Sequence, residues 1–138
     1  MKKVLFITNS FDTIDNGPAL FANIVYESFK NKKEIDLRIL TEDCKNIKYH
    51  KIYDANIKRT YYNRFFFQFL RTIYYHYESL KIRKKFKYDI IVYNNAFTGL
   101  ISSIYSKTPV LVMINDYERI SFNPRQFEVN KKYLKNLI

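Results

Sequence analysis

Glycine and proline are scarce in this sequence, with two glycines and three prolines among 138 residues. Folds made of many short strands need these residues at turn after turn, so their scarcity argues against an all-β sandwich or barrel. The single cysteine, Cys44, excludes a disulfide framework within the chain and a cysteine-based zinc site. His50 and His76 lie far from the predicted strand ends, so we predict neither a metal site nor a catalytic triad.

Long apolar runs are also lacking. No apolar stretch approaches the length of about 18 residues that a membrane-spanning helix needs. Lys2 and Lys3 precede only a short strand-like run that stops at Asn9, which differs from a secretory signal peptide. The apolar fraction, 47%, is nevertheless ordinary for a folded protein. We therefore expect residues 1–138 to form one domain of a cytoplasmic protein.

Acidic residues are outnumbered by basic ones. Asp and Glu number 13 and Lys and Arg number 24, which gives a formal net charge of +11. A charge of this sign and size favours an anionic partner, and the composition leaves open a phosphate group, a nucleic acid or a lipid surface. The alternative is a basic surface that is simply solvated.

Short apolar runs alternate along the chain with segments of helical spacing. The runs are rich in branched residues and stop at polar residues, which is typical of buried parallel strands. They cover residues 4–8, 37–40, 89–95 and 110–114, with a short candidate at 51–53. Helical spacing covers about residues 18–30, 60–86, 98–106 and 124–138. This alternation predicts an α/β fold, a single Rossmann-like three-layer α/β/α domain with a mainly parallel sheet.

The longest helical segment carries an apolar stripe at spacings of three and four residues. Its members are Phe66, Leu70, Ile73, Tyr77 and Leu80. We expect this stripe to pack against the sheet, because one apolar face is enough to hold a helix there.

Polar residues follow four of the predicted strands. They are Asn9-Ser10, Thr41-Glu42-Asp43, Asn94-Asn95 and Asn115-Asp116. The carboxyl ends of parallel strands meet at one edge of the sheet, and ligands bind beyond that edge where the strand order reverses. Asn94, Asn95, Asn115 and Asp116 are therefore candidate ligand-binding residues. The alternative is that these residues are polar only because loops are polar.

The loop after the first strand ends in Asn16, Gly17 and Pro18, at the start of a predicted helix. Pro18 suits the first turn, where its missing N–H is not needed. Free backbone N–H groups at a helix start bind phosphate, and Gly17 allows a ligand to approach the backbone. The loop has neither a G-x-G-x-x-G fingerprint nor a Walker lysine, which disfavours dinucleotide binding and NTP hydrolysis. The alternative is an ordinary helix start.

Residues 58–88 are strongly basic and aromatic. They hold nine Lys or Arg residues against one acid, Glu78, and 11 of the 25 Phe and Tyr residues. Aromatic rings anchor at a lipid interface and cations attract anionic lipid, so the segment predicts membrane contact. The candidate residues are Arg59, Arg64, Arg71, Lys81, Arg83, Lys84, Lys85, Phe65 and Phe67. Packing against a partner domain or subunit, and nucleic-acid binding, are the alternatives.

Together these segments resemble the N-terminal domain of family 4 glycosyltransferases, the group 1 enzymes of the GT-B fold. The resemblance covers the whole chain and rests on VLFITNSF, NGPALFANIVYESF, DLRILTED, YDIIVYNN with Gly99 after it, and PVLVMINDYE. In order and spacing these segments are similar to the family's first strand, glycine-rich loop with first helix, second strand, D-I-I-H-x-H strand and P-V-V-x-x-H-D strand.

The resemblance implies sugar transfer from a nucleotide-activated donor to an acceptor, with this domain shaping the acceptor site. Gly17 carries over from the family's Gly-Gly loop as backbone that approaches the donor phosphate and the acceptor. Asp116 carries over from the family's His-Asp pair, whose histidine is replaced by Asn115. Asn94 and Asn95 stand where a histidine is common. The catalytic residues stay unassigned, and no segment matches the C-terminal domain with its Glu-x7-Glu motif.

Family members that act on lipid-linked acceptors use a basic aromatic region at this place to sit on the membrane. The resemblance therefore implies a peripheral protein at the inner face of the membrane, with a sugar or lipid-linked acceptor. It also implies a further domain or partner chain that binds the nucleotide sugar, and no cofactor in this chain. We expect the isolated domain to self-associate through the surface that would meet this second domain. The alternatives are a non-enzymatic flavodoxin-like module for an anionic ligand or membrane surface, and a nucleic-acid-binding module.

Overall fold

The computed structural model describes a sheet with helices packed on it. The described residues are 1–11, 17–42, 52–54 and 64–113, and side chains are described for all of these except 54, 64–68, 96 and 97. The predicted helix at 124–138 lies outside the described residues, as do Asn16, Arg59, Asn115 and Asp116.

The described elements alternate between strands and helices. The strands are β1 (Lys2–Ile7), β2 (Ile35–Thr41), β3 (Ile52–Asp54), β4 (Ile90–Tyr93) and β5 (Val110–Val112). The helices are α1 (Gly17–Phe29), α2 (Arg64–Lys85) and α3 (Ala96–Tyr105). Each element lies within a few residues of a predicted one, and the prediction of an α/β fold is confirmed.

All strand pairs in the sheet are parallel, and the strand order is β3-β2-β1-β4-β5. The chain moves outward from β1 through β2 to β3 and then crosses back to β4 and β5 on the other side of β1. Because crossovers of this kind are right-handed, the reversal of direction puts α1 on one face of the sheet and α2 and α3 on the other. The order is consistent with a Rossmann-like domain.

Strand β1 is buried on both faces. Leu5 and Ile7 lie in one apolar cluster with Tyr75 of α2, and Phe6 lies in a second cluster with Ala22 of α1. This alternation follows from the pleat, which points successive side chains to opposite faces. A continuous apolar run therefore requires helices on both sides of the sheet.

Helix α2 packs on the sheet through a face other than the predicted one. Its buried residues are Thr72, Tyr75, Ser79 and Ile82, with Phe86 just after the helix. The predicted packing stripe lies on the opposite side, where Leu70, Ile73, Tyr77 and Leu80 are between 41% and 56% exposed. The prediction was wrong because apolar spacing alone did not identify the buried side.

The physical reason is that the hydroxyl groups on the buried face of α2 are satisfied by the helix itself. Thr72 Oγ1 donates to the carbonyl of Phe69 at 2.8 Å, and Ser79 Oγ donates to the carbonyl of His76 at 2.6 Å. A hydroxyl paired in this way is buried without losing a hydrogen bond. Among the buried residues of α2, Tyr75 then supplies the largest apolar contact with the sheet.

Gly99 lies where α3 approaches the ends of β4 and β5. A β-carbon built on Gly99 would lie 2.8 Å from Val112 Cγ2 and 3.0 Å from Tyr93 Cγ. At Gly17 the same construction meets nothing within 4 Å. The missing side chain of Gly99 therefore allows α3 to lie close to the sheet.

Gly99→Ala is expected to lower the free energy of unfolding by about 1–2 kcal/mol, because overpacking outweighs the better helix propensity of alanine. Gly17→Ala is the matched control and should cause no loss. Urea unfolding followed by circular dichroism compares the two variants with the unchanged chain. An equal response from both variants would contradict the close approach at Gly99.

Candidate functional site

Strands β1 and β4 are neighbours in the sheet but not in the sequence, and the strand order reverses between them. We call the residues that follow their carboxyl ends, 8–11 and 94–95, the switch-point edge. Open α/β sheets bind their ligands at this position, because the helices on the two faces diverge there. These residues therefore form the candidate site.

Asn94 joins three elements at the switch-point edge. Its backbone N–H donates to the carbonyl of Ile7 at 2.9 Å, which extends the pairing of β4 with β1. Its side-chain amide donates to Thr8 Oγ1 at 3.2 Å and to the carbonyl of Pro18 at 2.9 Å. Asn94 is buried and holds the first turn of α1 against the ends of both strands. Asn95 follows and precedes the first residue of α3.

The loop after β1 is held against α1. Thr8 Oγ1 donates to the carbonyl of Ser10 at 3.0 Å. The amide of Asn23 donates to the carbonyl of Phe11 at 2.5 Å, and the Phe11 ring packs edge-on against Tyr26 with 5.7 Å between ring centroids. These contacts fix the position of the loop as it leaves the strand.

A buried ion pair ties α2 to the same edge from the other face of the sheet. Arg71 donates from Nε and Nη2 to the two carboxylate oxygens of Glu42, which follows β2, and the side chains are only 9% and 3% exposed. Tyr75 Oη donates to Glu42 Oε1 at 2.6 Å and lies 3.3 Å from the carbonyl oxygen of Thr8. Burial alone lowers the pKa of Arg71, but the hydrogen bonds and charge of Glu42 outweigh it and raise the pKa overall.

Two polar atoms at the ends of β1 and β2 are buried without a partner. Within the described residues, neither Asn9 Oδ1 nor Thr41 Oγ1 has a hydrogen bond. Leaving such a group unsatisfied costs about 1–3 kcal/mol. Because both atoms are enclosed by the protein, neither is exposed to a ligand at this edge. Gly17 is exposed at the start of α1, and the first turn of that helix carries no acidic residue that would repel an anion.

The predicted membrane-contact residues differ in their surroundings. Arg71 is turned inward onto Glu42 and lies apart from the exposed basic side chains. Lys84 and Lys85 are exposed at the end of α2. Lys81 is paired with Glu78 at 2.7 Å and is also exposed. Among the described side chains of α2, the exposed basic surface is therefore formed by the last two turns.

The remaining members of that set are less fully described. The guanidinium of Arg83 lies 5.9 Å from the ring centroid of Tyr88. Arg64, Phe65 and Phe67 belong to α2, but their side chains lie outside the described part of the chain. Among the described residues, no helix is both long enough and apolar enough to cross a membrane.

His76 has a partner that the sequence did not indicate. Its Nδ1 lies 2.9 Å from Ser102 Oγ, and Ser102 Oγ lies 2.5 Å from Tyr93 Oη. Ser102 is fully buried, so this chain of contacts joins α2, α3 and β4 rather than presenting a nucleophile to a substrate. Burial raises the pKa of Tyr93 to about 12, while its hydrogen bond with Ser102 acts in the opposite direction.

Sequence reasoning also missed the pairing of Glu42 with Arg71. The one available signal was the spacing of Arg71 and Tyr75, four residues apart and so on one face of α2. Within the described residues, no group of three or more His, Cys, Asp or Glu side chains is placed to hold a metal ion.

Known proteins provide no family for this chain. No protein-family model, no curated protein and no solved structure matches it. A proposal for its function therefore depends on its fold, on the switch-point edge and on the resemblance of its sequence segments to those of family 4 glycosyltransferases.

Glu42→Gln is expected to lower the free energy of unfolding by about 3 kcal/mol, because it leaves the charge of Arg71 buried without a counter-ion. Glu78→Gln breaks an ion pair with exposed Lys81 on the same helix and is the control, with an unchanged urea midpoint expected. Urea unfolding at neutral pH measures both. Equal midpoints for the two variants would show that Arg71 reaches solvent.

Tyr93→Phe is expected to flatten the response of stability to alkaline pH. Since the folded protein raises the pKa of Tyr93 from 10.0 to about 12, the tyrosine's contribution is complete below pH 10 and is lost as the pH rises through 12. The free energy of unfolding should fall by up to about 2 kcal/mol more in the unchanged chain than in the variant. Urea titrations across this pH range test this, with exposed Tyr105→Phe as control. Parallel curves would contradict a buried phenol.

Proposed function

We propose that this chain is the acceptor-side, Rossmann-like domain of a glycosyltransferase. In this proposal a sugar passes from a nucleotide-sugar donor to a lipid-linked or cell-surface glycan acceptor, and a further domain or partner chain binds the donor. The support is twofold. Segments similar to family 4 glycosyltransferases occur in the family's order, and the strand order reverses where such a domain would bind its ligand.

The observation that carries the proposal is the position of the start of α1 beside the switch-point edge. Asn94 holds the carbonyl of Pro18 at 2.9 Å, so the first turn of α1 is fixed next to the ends of β1 and β4. Gly17 is exposed there with open space around its Cβ position. The start of a helix favours a phosphate group, because its backbone N–H groups and the positive end of the helix dipole point toward the ligand. A phosphate linked to a lipid or to a nucleotide is the chemistry that fits.

The placement of the protein at the inner face of a membrane belongs to the same proposal. Its support is the net charge of +11 together with the exposed Lys84 and Lys85. Each basic residue near an anionic leaflet contributes about 1 kcal/mol, so a few of them together hold a protein at the surface. A peripheral position brings the switch-point edge within reach of a lipid-linked acceptor.

Gly17→Asp is expected to reduce sugar transfer at least about tenfold, because a carboxylate at this position repels the phosphate that the first turn of α1 would bind. Gly17→Ala is the matched control and should keep most of the activity, since the added methyl group meets open space. The measurement uses membranes from cells that produce the chain with its natural partners. Radiolabelled nucleotide sugars are supplied, and label is counted in the lipid extract.

Equal labelling with Gly17→Asp and with the unchanged chain would contradict the proposed site. If no label depends on the chain at all, yet its purified form binds pyrophosphate and Gly17→Asp abolishes that binding, the result would favour the non-enzymatic module for an anionic ligand.

A further inference from the structure

Strand β5 forms one side of the sheet. Among the described strands it pairs only with β4, because the strand order ends in β4-β5. The N–H of Met113 donates to the carbonyl of Tyr93 at 2.8 Å, so this residue and every second residue before it turn their backbone groups toward β4. The N–H and C=O groups of Val110 and Val112 therefore point to the side of β5 on which the described fold has no strand.

Leu111 is exposed between these two valines. Val110 and Val112 pack against the apolar cluster on the α2 side of the sheet, so the side chain of Leu111 points to the other face. Helix α1 lies over β2 on that face, and Leu111 is 53% exposed. Its register partner on β4, Val92, is half-buried. Strand β5 therefore joins an open backbone edge to an exposed apolar side chain.

The chain is nearly uncharged around β5. Residues 90–113 contain one charged residue, Lys107, although 27% of the residues in the chain are charged. Helix α3 has no charged residue, and it lies so close to β5 that a β-carbon on Gly99 would meet Val112. Edge strands usually carry charges that discourage pairing with another chain, as β3 does with Asp54 at the opposite side of the sheet. Strand β5 lacks this protection, and scarcity of charge is typical of the core of a protein interface.

A second copy of the chain suits this surface better than the other partners considered above. Nucleic acid and anionic lipid are bound through basic residues, of which this part of the chain has one. The further domain of the proposed function would face the switch-point edge, which lies at the carboxyl ends of the strands and not at the side of the sheet. A two-fold interface brings a surface against itself, and β5 carries no charge that would oppose its own copy. The net charge of +11 repels two copies over longer distances, but physiological salt screens this repulsion beyond about 8 Å.

We infer that β5 is a dimer interface, in which the β5 strands of two copies pair antiparallel about a two-fold axis at Leu111. Val110 of one copy lies opposite Val112 of the other, so the backbone groups that point away from β4 form hydrogen bonds across the axis. Leu111 lies opposite its own copy on the same face of the sheet, with about 4.5 Å between the two Cα atoms.

This pairing joins the two sheets and leaves the two switch-point edges open at opposite ends. A strand of three residues buries little surface, so the contact belongs to the class below about 1,200 Å² in total and the dimer is expected to be weak. The inference does not depend on the proposed function, because the interface lies at the side of the sheet.

Sedimentation equilibrium of the full chain tests the pairing. We expect the average mass to rise from that of one chain toward that of two as the concentration increases. Leu111→Lys and Leu111→Asp should each weaken association at least about tenfold, because each places like charges opposite each other at the axis. An equimolar mixture of the two variants should restore association, since a lysine then faces an aspartate. The matched control Ile24→Lys adds a charge at an equally exposed site on α1, 53%, and should associate like the unchanged chain.

A disulfide tests the position of the axis. Cys44 is the only cysteine of the chain, so Cys44→Ser provides a background without thiols. In that background Leu111→Cys should form a covalent dimer on mild oxidation, because a Cα separation of about 4.5 Å lies within the range that a disulfide spans. Ile24→Cys has the same exposure and should stay a single chain on a non-reducing gel. Both positions are exposed, so the variants are expected to fold, which circular dichroism verifies.

Three outcomes would overturn the inference. The first is a chain that stays monomeric at every concentration, and the second is a dimer that Leu111→Lys leaves unweakened, which would place the contact elsewhere. The third is equal cross-linking of Leu111→Cys and Ile24→Cys, or a mixture of the charged variants that does not associate. No sugar donor or acceptor is present in these assays, so a failure of the transferase proposal, seen with Gly17→Asp, leaves their result unchanged.

Discussion

The burial of β1 on both faces is the constraint on which the rest of the structure depends. Leu5 and Ile7 point toward α2 and Phe6 points toward α1, so neither face of the strand can be left to solvent. The crossover from β1 to β2 contains α1, and the crossover that returns to β4 contains α2. Because both crossovers are right-handed, helices cover both faces only if the strand order reverses at β1. The polar residues that follow β1 consequently lie where the two layers diverge, which is where folds of this kind bind a ligand.

Two polar networks hold that edge, one from each face of the sheet. Asn94 ties the start of α1 to Thr8, while Tyr75 and Glu42 tie α2 to the ends of β1 and β2. Buried ion pairs contribute little net stability compared with apolar residues of the same size, but they are costly to break. The pairing of Glu42 with Arg71 therefore acts mainly on position, since it fixes α2 relative to the strand ends.

The two sides of α2 differ in their surroundings. Its inner side reaches the switch-point edge through Tyr75, and its outer side carries the apolar stripe next to α3. Both sides contain apolar residues at helical spacing. The periodicity therefore predicted that the stripe with Leu70 and Tyr77 is buried, whereas the structure buries the side with Tyr75. Hydroxyl groups such as that of Thr72, which bond within their own helix, made the other side cheaper to bury than its polarity suggested.

The sequence by itself determined the kind and order of the elements, because strand and helix signals act between near neighbours. Branched apolar runs, Pro18 in a first helical turn and polar strand ends were enough for an α/β sheet and for the edge that carries the candidate site. Only the tertiary structure decided which side of α2 is buried, that Arg71 turns inward to Glu42, and that His76 contacts Ser102. These pairs are 29 and 26 positions apart in the chain, and contacts over such distances exist only once the sheet has brought the helices together.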